Sequence, residues 1–333
     1  MDKIFDNKTI LVTGGTGSIG EEIVKRLLKE NVAKIITLGR EENKNFFLER
    51  RLRDKRVKCI TGDIRDTTCL KSIFIENNID IIYHTAAMKH VSICEKFPLE
   101  SVKTNVIGTY NLVEIAKENK VKKFITVSTD KAVNPVNVLG STKFLAEKIT
   151  TNAGFSCVRF GNVANSKGSV IPALISDILD GNPLKVTDPN VTRFIMRISE
   201  AADLVIDATK YSEGGEIFVL KMKAFKLSDI VEVIGKISTE IFEINEKDVK
   251  INYVGLITGE KIHEDLINSI EEKNVYDLGN MYAIFPLGVS PSNKAYKKIE
   301  LNNYNSSHAE LILKIELEDI VKEYVDTLDL GYH

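Results

Sequence analysis

A short apolar run, residues 9–13, ends in Gly14-Gly15-Thr16-Gly17-Ser18-Ile19-Gly20 and passes into an amphipathic segment that reaches Glu30. Strand, glycine loop and helix in that order restrict the fold more than any other feature of the chain. Glycines at 14, 17 and 20 leave room for backbone to approach an anion closely, while the start of the helix offers N–H donors and positive potential. In this setting the triplet points to a bound dinucleotide, with Thr16, Ser18 and Ile19 in the same turn.

The alternation continues through strands expected at 34–38, 57–61, 80–84, 123–128 and 156–160, with helices at 41–53, 67–77, 99–118 and 141–151 between them. Such a pattern gives parallel strands joined by right-handed crossovers, a doubly wound α/β sheet of the Rossmann type. Beyond residue 161 the pattern turns irregular, with helices at 168–179, 199–209, 227–238 and 316–328 and short strands at 217–220 and 251–254. The expected division is a dinucleotide-binding domain over 1–165, to which later segments can return, and a smaller domain over 166–333 that holds substrate.

Lys+Arg 45 against Asp+Glu 47 gives a formal charge of -2, so the overall balance suggests neither nucleic acid nor an acidic tail as partner. Cys59, Cys69, Cys94 and Cys157 form no CxxC pair and read as free thiols of a reducing cytoplasm. His84, His263, His308 and His333 are too scattered for a metal site. No apolar run is long enough to span a membrane. At the end of the second strand, Leu38-Gly39-Arg40-Glu41-Glu42 presents a cation where a carboxylate would bond the ribose 2′-hydroxyl of NAD, which favours NADP, with NAD as the alternative if Glu41 or Glu42 turns to the ribose. Gly62-Asp63-Ile64 follows the third strand and Ala86 the fourth, both positioned to line the dinucleotide.

Val127-Ser128-Thr129-Asp130-Lys131-Ala132-Val133-Asn134-Pro135 ends an apolar strand abruptly in a hydroxyl, a carboxylate and an amine. Together with the glycine loop, Gly62-Asp63-Ile64-Arg65-Asp66, Ala86-Ala87-Met88-Lys89-His90-Val91, Arg159-Phe160-Gly161-Asn162-Val163, Asp188-Pro189-Asn190-Val191-Thr192-Arg193-Phe194, Gly259-Glu260-Lys261-Ile262-His263-Glu264 and Tyr304-Asn305-Ser306, this stretch resembles the extended short-chain dehydrogenase/reductase superfamily. More narrowly it resembles the nucleotide-activated N-acetylglucosamine 4,6-dehydratases. The resemblance implies that C4 of a UDP-N-acetylglucosamine-like sugar is oxidised, which acidifies C5. Water is then lost across C5 and C6 and the stored hydride returns to C6. It further implies Asp130 as general acid, Lys131 as general base, Thr129 on the sugar hydroxyl near C4 and Lys143 at the cofactor. The nearest rival is a C4 epimerase, which needs no acid at C6; a second is a dinucleotide-binding regulator without activity.

Two positions depart from the resemblance. Superfamily members carry Tyr-x-x-x-Lys, and here Lys143 is present but Leu139 stands at the tyrosine position. A leucine cannot move a proton, so the base for oxidation falls to Asp130, Lys131 or Thr129 through a water. Ile257 stands where relatives often have an arginine for the nucleotide diphosphate, so that duty is expected of Arg193, Asn162 and Lys167, with Glu260 nearby. Lys89 or His90 borders the sugar in relatives, and Asn105 reads as support for a neighbouring strand end. Relatives assemble through helices flanking the sheet, and the apolar segments 99–116 and 144–149 permit a homo-oligomer.

Overall fold

The computed structural model describes residues 3–328, and the expectation for His333 lies outside them. Two compact units divide the chain. The first holds residues up to Phe160 with Ser199–Lys221 and Leu266–Asn303; the second holds Gly161–Ile198, Met222–Asp265 and the residues from Tyr304 on.

In the first unit β1 (Thr9–Thr13), α1 (Ser18–Leu27), β2 (Lys34–Gly39), α2 (Glu42–Leu52), β3 (Val57–Thr61), α3 (Thr67–Glu76) and β4 (Ile81–His84) alternate as their periodicity requires. Two short helices follow, α4 (Val91–Lys96) and α5 (Pro98–Ser101), then a π-helical turn at Val102–Ile107, α6 (Gly108–Glu118), β5 (Lys123–Val127), α7 (Val138–Asn152) and β6 (Ser156–Arg159). Among the described residues the sheet has ten strands, and β6-β5-β4-β1-β2-β3 run parallel as expected.

Ile217–Leu220 adds a seventh parallel strand beside β6, and Met281–Ile284, Val275–Asp277 and Lys297–Ile299 extend the sheet antiparallel. Chain order puts the main change of unit near residue 165 and allows later segments to return. Two later segments return because their strands are paired into this sheet. The strands after 260 are three or four residues long and carry Tyr, Lys and Asp among their apolar positions, too short for a period of two to be legible.

Both faces of the parallel sheet are covered, so consecutive residues are buried alike: Ile10, Leu11 and Val12 in β1 and Ile35 and Ile36 in β2. On one face Leu11, Ile36, Ile82 and Phe124 join Leu70, Ile73 and Phe74 of α3 and Leu112, Val113 and Ala116 of α6. Burying such side chains contributes about 1.5–3 kcal/mol each before entropy is counted. The second unit has its own core, in which Ile171, Leu174 and Ile175 of the helix Val170–Leu179 pack with Ile230, Ile234 and Ile237 of Leu227–Ile241 and with Leu317, Ile320 and Val321 of Lys314–Val325.

Candidate functional site

Strand order reverses direction about β1 and β4, and ligands of open α/β sheets bind at the carboxyl ends of strands flanking such a point. The loop after β1 is built for close contact. Gly14 has φ +70°, and a β-carbon there would lie 2.8 Å from the Ala86 nitrogen and from Thr85 Oγ1. One on Gly20 would lie 2.3 Å from the Gly14 carbonyl oxygen. Gly14 and Gly20 are thus fixed by internal packing, whereas Gly17 is exposed, and no side chain caps the helix that begins at Ser18. This cradle and the N-terminal N–H groups of the helix fit a dinucleotide pyrophosphate, with Thr16, Ser18 and Ile19 in the same turn.

Asp63 is held in place after β3. Its Oδ2 accepts from Arg65 Nε at 2.9 Å and Nη2 at 2.7 Å, and its Oδ1 from the Arg65 amide at 2.9 Å. Partial burial raises its pKa, but the bonds from Arg65, with the charge of Arg40 behind them, outweigh that and hold it below the usual carboxylate range. Ile64 is buried against Gly108, so what it can offer a dinucleotide is backbone rather than side chain. Arg40 is exposed, and Glu41 is drawn to Lys44 at 2.6 Å. Asn45, which gave no signal in the sequence beyond its place on the inward side of α2, donates to the Gly39 carbonyl and to Thr61 Oγ1, both at 3.0 Å, tying the ends of β2 and β3 together.

Beyond β4, Asn105 fixes the turn that leads to Lys89. Its Oδ1 accepts from the Met88 amide at 2.8 Å, and its Nδ2 donates to the Met88 carbonyl at 3.2 Å and to Thr142 Oγ1 at 3.1 Å. Asn105 sits in the π-helical turn where the sequence predicted continuous α-helix. The wider turn carries a residue that bridges α7 and the Met88 loop. Lys89 and His90 are exposed. His84 is fully buried between Thr13 Oγ1 at 2.7 Å and Thr109 Oγ1 at 2.9 Å. Burial, reinforced by the charge of Lys143, pushes its pKa down to about 3, so the ring is neutral and structural.

At the end of β5 the chain stays extended through Thr129 and turns at Asp130–Ala132. The side chain of Asp130 is 0% exposed and that of Lys131 18%. Asp130 Oδ1 accepts three bonds: from Thr129 Oγ1 at 2.7 Å, from the Lys131 amide at 2.9 Å and from Lys131 Nζ at 3.0 Å. Asp130 Oδ2 and Ser128 Oγ are buried with no hydrogen-bond partner among the described residues. A buried carboxylate oxygen left unanswered costs free energy.

Lys143 lies on α7, buried, with Nζ donating to the Val127 carbonyl at 2.6 Å, and burial lowers its pKa. Leu139, one turn earlier, is buried too and lends no polar atom. The sequence reading missed Gly140: a β-carbon there would fall 2.1 Å from the Lys131 carbonyl oxygen, so glycine is what lets α7 press against the Asp130–Lys131 turn. It also missed the network below. Arg159 Nε and Nη2 grip both oxygens of Glu147, Nη1 and Nη2 grip Glu271, and Nη1 also donates to the Leu266 carbonyl.

In the second unit Arg193 is buried, with Nη1 donating to the Thr192 and Ile262 carbonyls and Nη2 to Glu260 at 2.8 Å. Its Nε lies 4.0 Å from Glu264. Those acceptors already engage the guanidinium that was expected to grip a diphosphate, and Glu260 is its counter-charge, bonded also to Thr187. Asn162 is half-buried in a short strand and Lys167 is exposed. Among the described residues no group of three or more His, Cys, Asp or Glu could hold a metal, and no helix is long and apolar enough to cross a membrane.

Comparison with known proteins bears on this geometry. Residues 10–286 match the family model described as polysaccharide biosynthesis protein. An uncharacterized membrane protein of Methanocaldococcus jannaschii is 46% identical over 97% of this chain and 98% of its own length. The capsular polysaccharide biosynthesis protein CapD of Staphylococcus aureus is 40% identical over 81% of this chain, which spans 47% of that longer protein. A UDP-glucose 4-epimerase of Rickettsia bellii is 36% identical over 98% of this chain and 97% of its own. Among solved structures, Pen from Bacillus thuringiensis superposes with a TM-score of 0.88 at 37% identity, covering 96% of this chain and 98% of Pen. A dTDP-glucose 4,6-dehydratase from Bacillus anthracis, solved with NAD, shares the fold at a TM-score of 0.64 and 22% identity, over 76% of this chain and 86% of its own.

Proposed function

The chain belongs to the polysaccharide biosynthesis protein family, and from that premise we propose that it is a nucleotide-sugar 4,6-dehydratase acting on UDP-N-acetylglucosamine or a related nucleotide-activated amino sugar. The observation that carries this reading is the Asp130–Lys131 pair, a buried carboxyl sharing a hydrogen bond with a partly exposed amine at the end of β5. Elimination of water needs an acid and a base within reach of adjacent carbons. An epimerase needs neither at C5 and C6.

A nicotinamide dinucleotide held by the Gly14–Gly20 loop, Asp63, the Ile64 backbone, Ala86 and Lys143 would supply the hydride acceptor and donor. Exposed Arg40, with Glu41 turned to Lys44, favours NADP over NAD. The elimination needs Lys131 as proton acceptor beside Asp130 as proton donor. Lys131, the more exposed member, takes the C5 proton. Asp130 protonates the departing C6 hydroxyl through Oδ2, the oxygen without an internal partner, after rotating toward the sugar. Thr129 bonds the hydroxyl near C4. With Leu139 mute, the same turn accepts the proton of that hydroxyl. In the first unit Lys89 is the proposed contact to the sugar; in the second, taken by itself, Asn162, Lys167, Arg193 and Glu260 are the proposed substrate-binding residues.

A homo-oligomer is part of the proposal. In the segments expected to mediate it, Leu112, Val113 and Ala116 are core, but Leu99, Ile107, Tyr110 and Leu145 remain exposed, and Ile93 and Phe97 just before the first segment are exposed as well.

A second reading, a C4 epimerase, is favoured by the full-length likeness to proteins named UDP-glucose 4-epimerase. Proton NMR of the sugar in deuterated buffer, with UDP- and GDP-N-acetylglucosamine supplied in turn, separates the two. Dehydration predicts a C6 methyl and deuterium at C5; a galacto-configured product with neither makes the chain an epimerase.

A further inference from the structure

The near-neutral charge of the whole chain conceals a local excess. Between Arg40 and Lys58 stand eight cations against four carboxylates, all within α2 and its flanks, in a protein whose formal charge is -2. Two of these cations have carboxylate partners elsewhere in the first unit, Arg51 on Glu21 and Lys58 on Glu76. Arg50, Arg53 and Lys55 are exposed at the carboxyl end of the helix.

Among them project two aromatic rings. Phe46 is 52% exposed and Phe47 59%, with ring centroids 5.6 Å apart, and the Arg50 guanidinium lies over the Phe46 ring at 5.5 Å. The helix itself is fixed: Leu48 is fully buried, and Asn45 is tied to the ends of β2 and β3. The rings are therefore held outward by a rigid element. Exposing two adjacent phenylalanines to water is unfavourable unless something covers them.

We propose that this face of α2 docks on an anionic membrane surface. Rings at the level of the headgroups with arginines and lysine around them is the chemistry of interfacial binding, in which apolar insertion and attraction to negative lipid act together. The apolar face on α4 to α7 is less basic: residues 89–103 carry Lys89, Lys96 and Lys103 against Glu95 and Glu100, a smaller excess than on α2, and a second copy of the chain suits it better. Charge is what distinguishes the occupant of α2. The binding is peripheral and independent of which reaction the other end of the sheet performs.

Flotation of the full-length protein with phosphatidylcholine vesicles, with and without phosphatidylglycerol, tests the proposal. Wild type is expected to float only with the anionic vesicles, and less as salt is raised. Both Phe46→Ser with Phe47→Ser and Arg50→Glu with Arg53→Glu are expected to weaken binding roughly tenfold or more while circular dichroism stays unchanged, since all four positions are exposed. Equal binding to neutral vesicles, no binding to either, or binding that survives both double substitutions would overturn it. So would a phenylalanine variant that lowers the molecular mass in solution, because a second copy would then be what covers the rings.

Discussion

Two buried clusters of cation and carboxylate lie in the first unit, and they are finished differently. Around Arg159 every guanidinium N–H has an acceptor and both oxygens of Glu147 and of Glu271 are used. At Asp130–Lys131 one carboxylate oxygen takes three bonds and the other takes none. A saturated network specifies structure, because any rearrangement loses bonds. A half-answered one keeps a group ready to bond something that comes and goes, at a cost in stability.

The contrast is sharpest in what substitution should do. Arg159→Met leaves Glu147 buried without a partner and Glu271 with only the Asn268 amide, and is expected to cost about 3–5 kcal/mol, seen as a lower denaturant midpoint at unchanged slope. Asp130→Asn should leave the unfolding free energy within about 1 kcal/mol and yet reduce turnover roughly 10²–10⁴-fold. Equal loss of stability in the two variants would erase the distinction. Gly140→Ala drives a methyl into the Lys131 carbonyl and should cost about 1–3 kcal/mol with a larger loss of activity than of stability, read from kcat in the folded fraction.

A pH titration compares the same regions with their support. His84 has a folded pKa near 3 and an unfolded value near 6.5, so the unfolded chain binds the extra proton first. Its contribution is complete above about pH 6.5 and falls by about 1.4 kcal/mol per unit as pH drops toward 3. Unfolding followed between about pH 4.5 and 6.5, above the range where most carboxylates titrate, should show this slope, and His84→Asn should flatten it. The smallest effect is expected for Leu139→Met, which keeps volume and lack of charge: under about 1.5 kcal/mol in stability and a few-fold in rate. A large loss of rate there would give Leu139 a part in the chemistry that its side chain cannot play by proton transfer.

The parallel sheet was legible in the sequence because its strands are buried on both faces and separated by amphipathic helices, so that the alternation of patterns survives without knowledge of the contacts. The antiparallel extension was not. Its strands are short and their partners lie far along the chain. The same division holds for the site. Asp130, Lys131, the glycine loop and Asn105 stand out as polar or conformationally special residues within apolar patterns. Gly140 resembles any helical glycine until the Lys131 carbonyl is placed against it. Arg193 stands out as a cation in the sequence, whereas its bonds to Ile262 and Glu260 join positions far apart in the chain and are visible only in the fold.

The claim that Asp130 and Lys131 divide the elimination between them is tested most directly by following C5 and C6 of UDP-N-acetylglucosamine separately, by proton NMR in deuterated buffer, in wild type, Asp130→Asn and Lys131→Met. Wild type should deuterate C5 and form the C6 methyl. Asp130→Asn should still exchange C5 while methyl formation fails, and Lys131→Met should do neither. Methyl formation at the wild-type rate in Asp130→Asn would contradict the account.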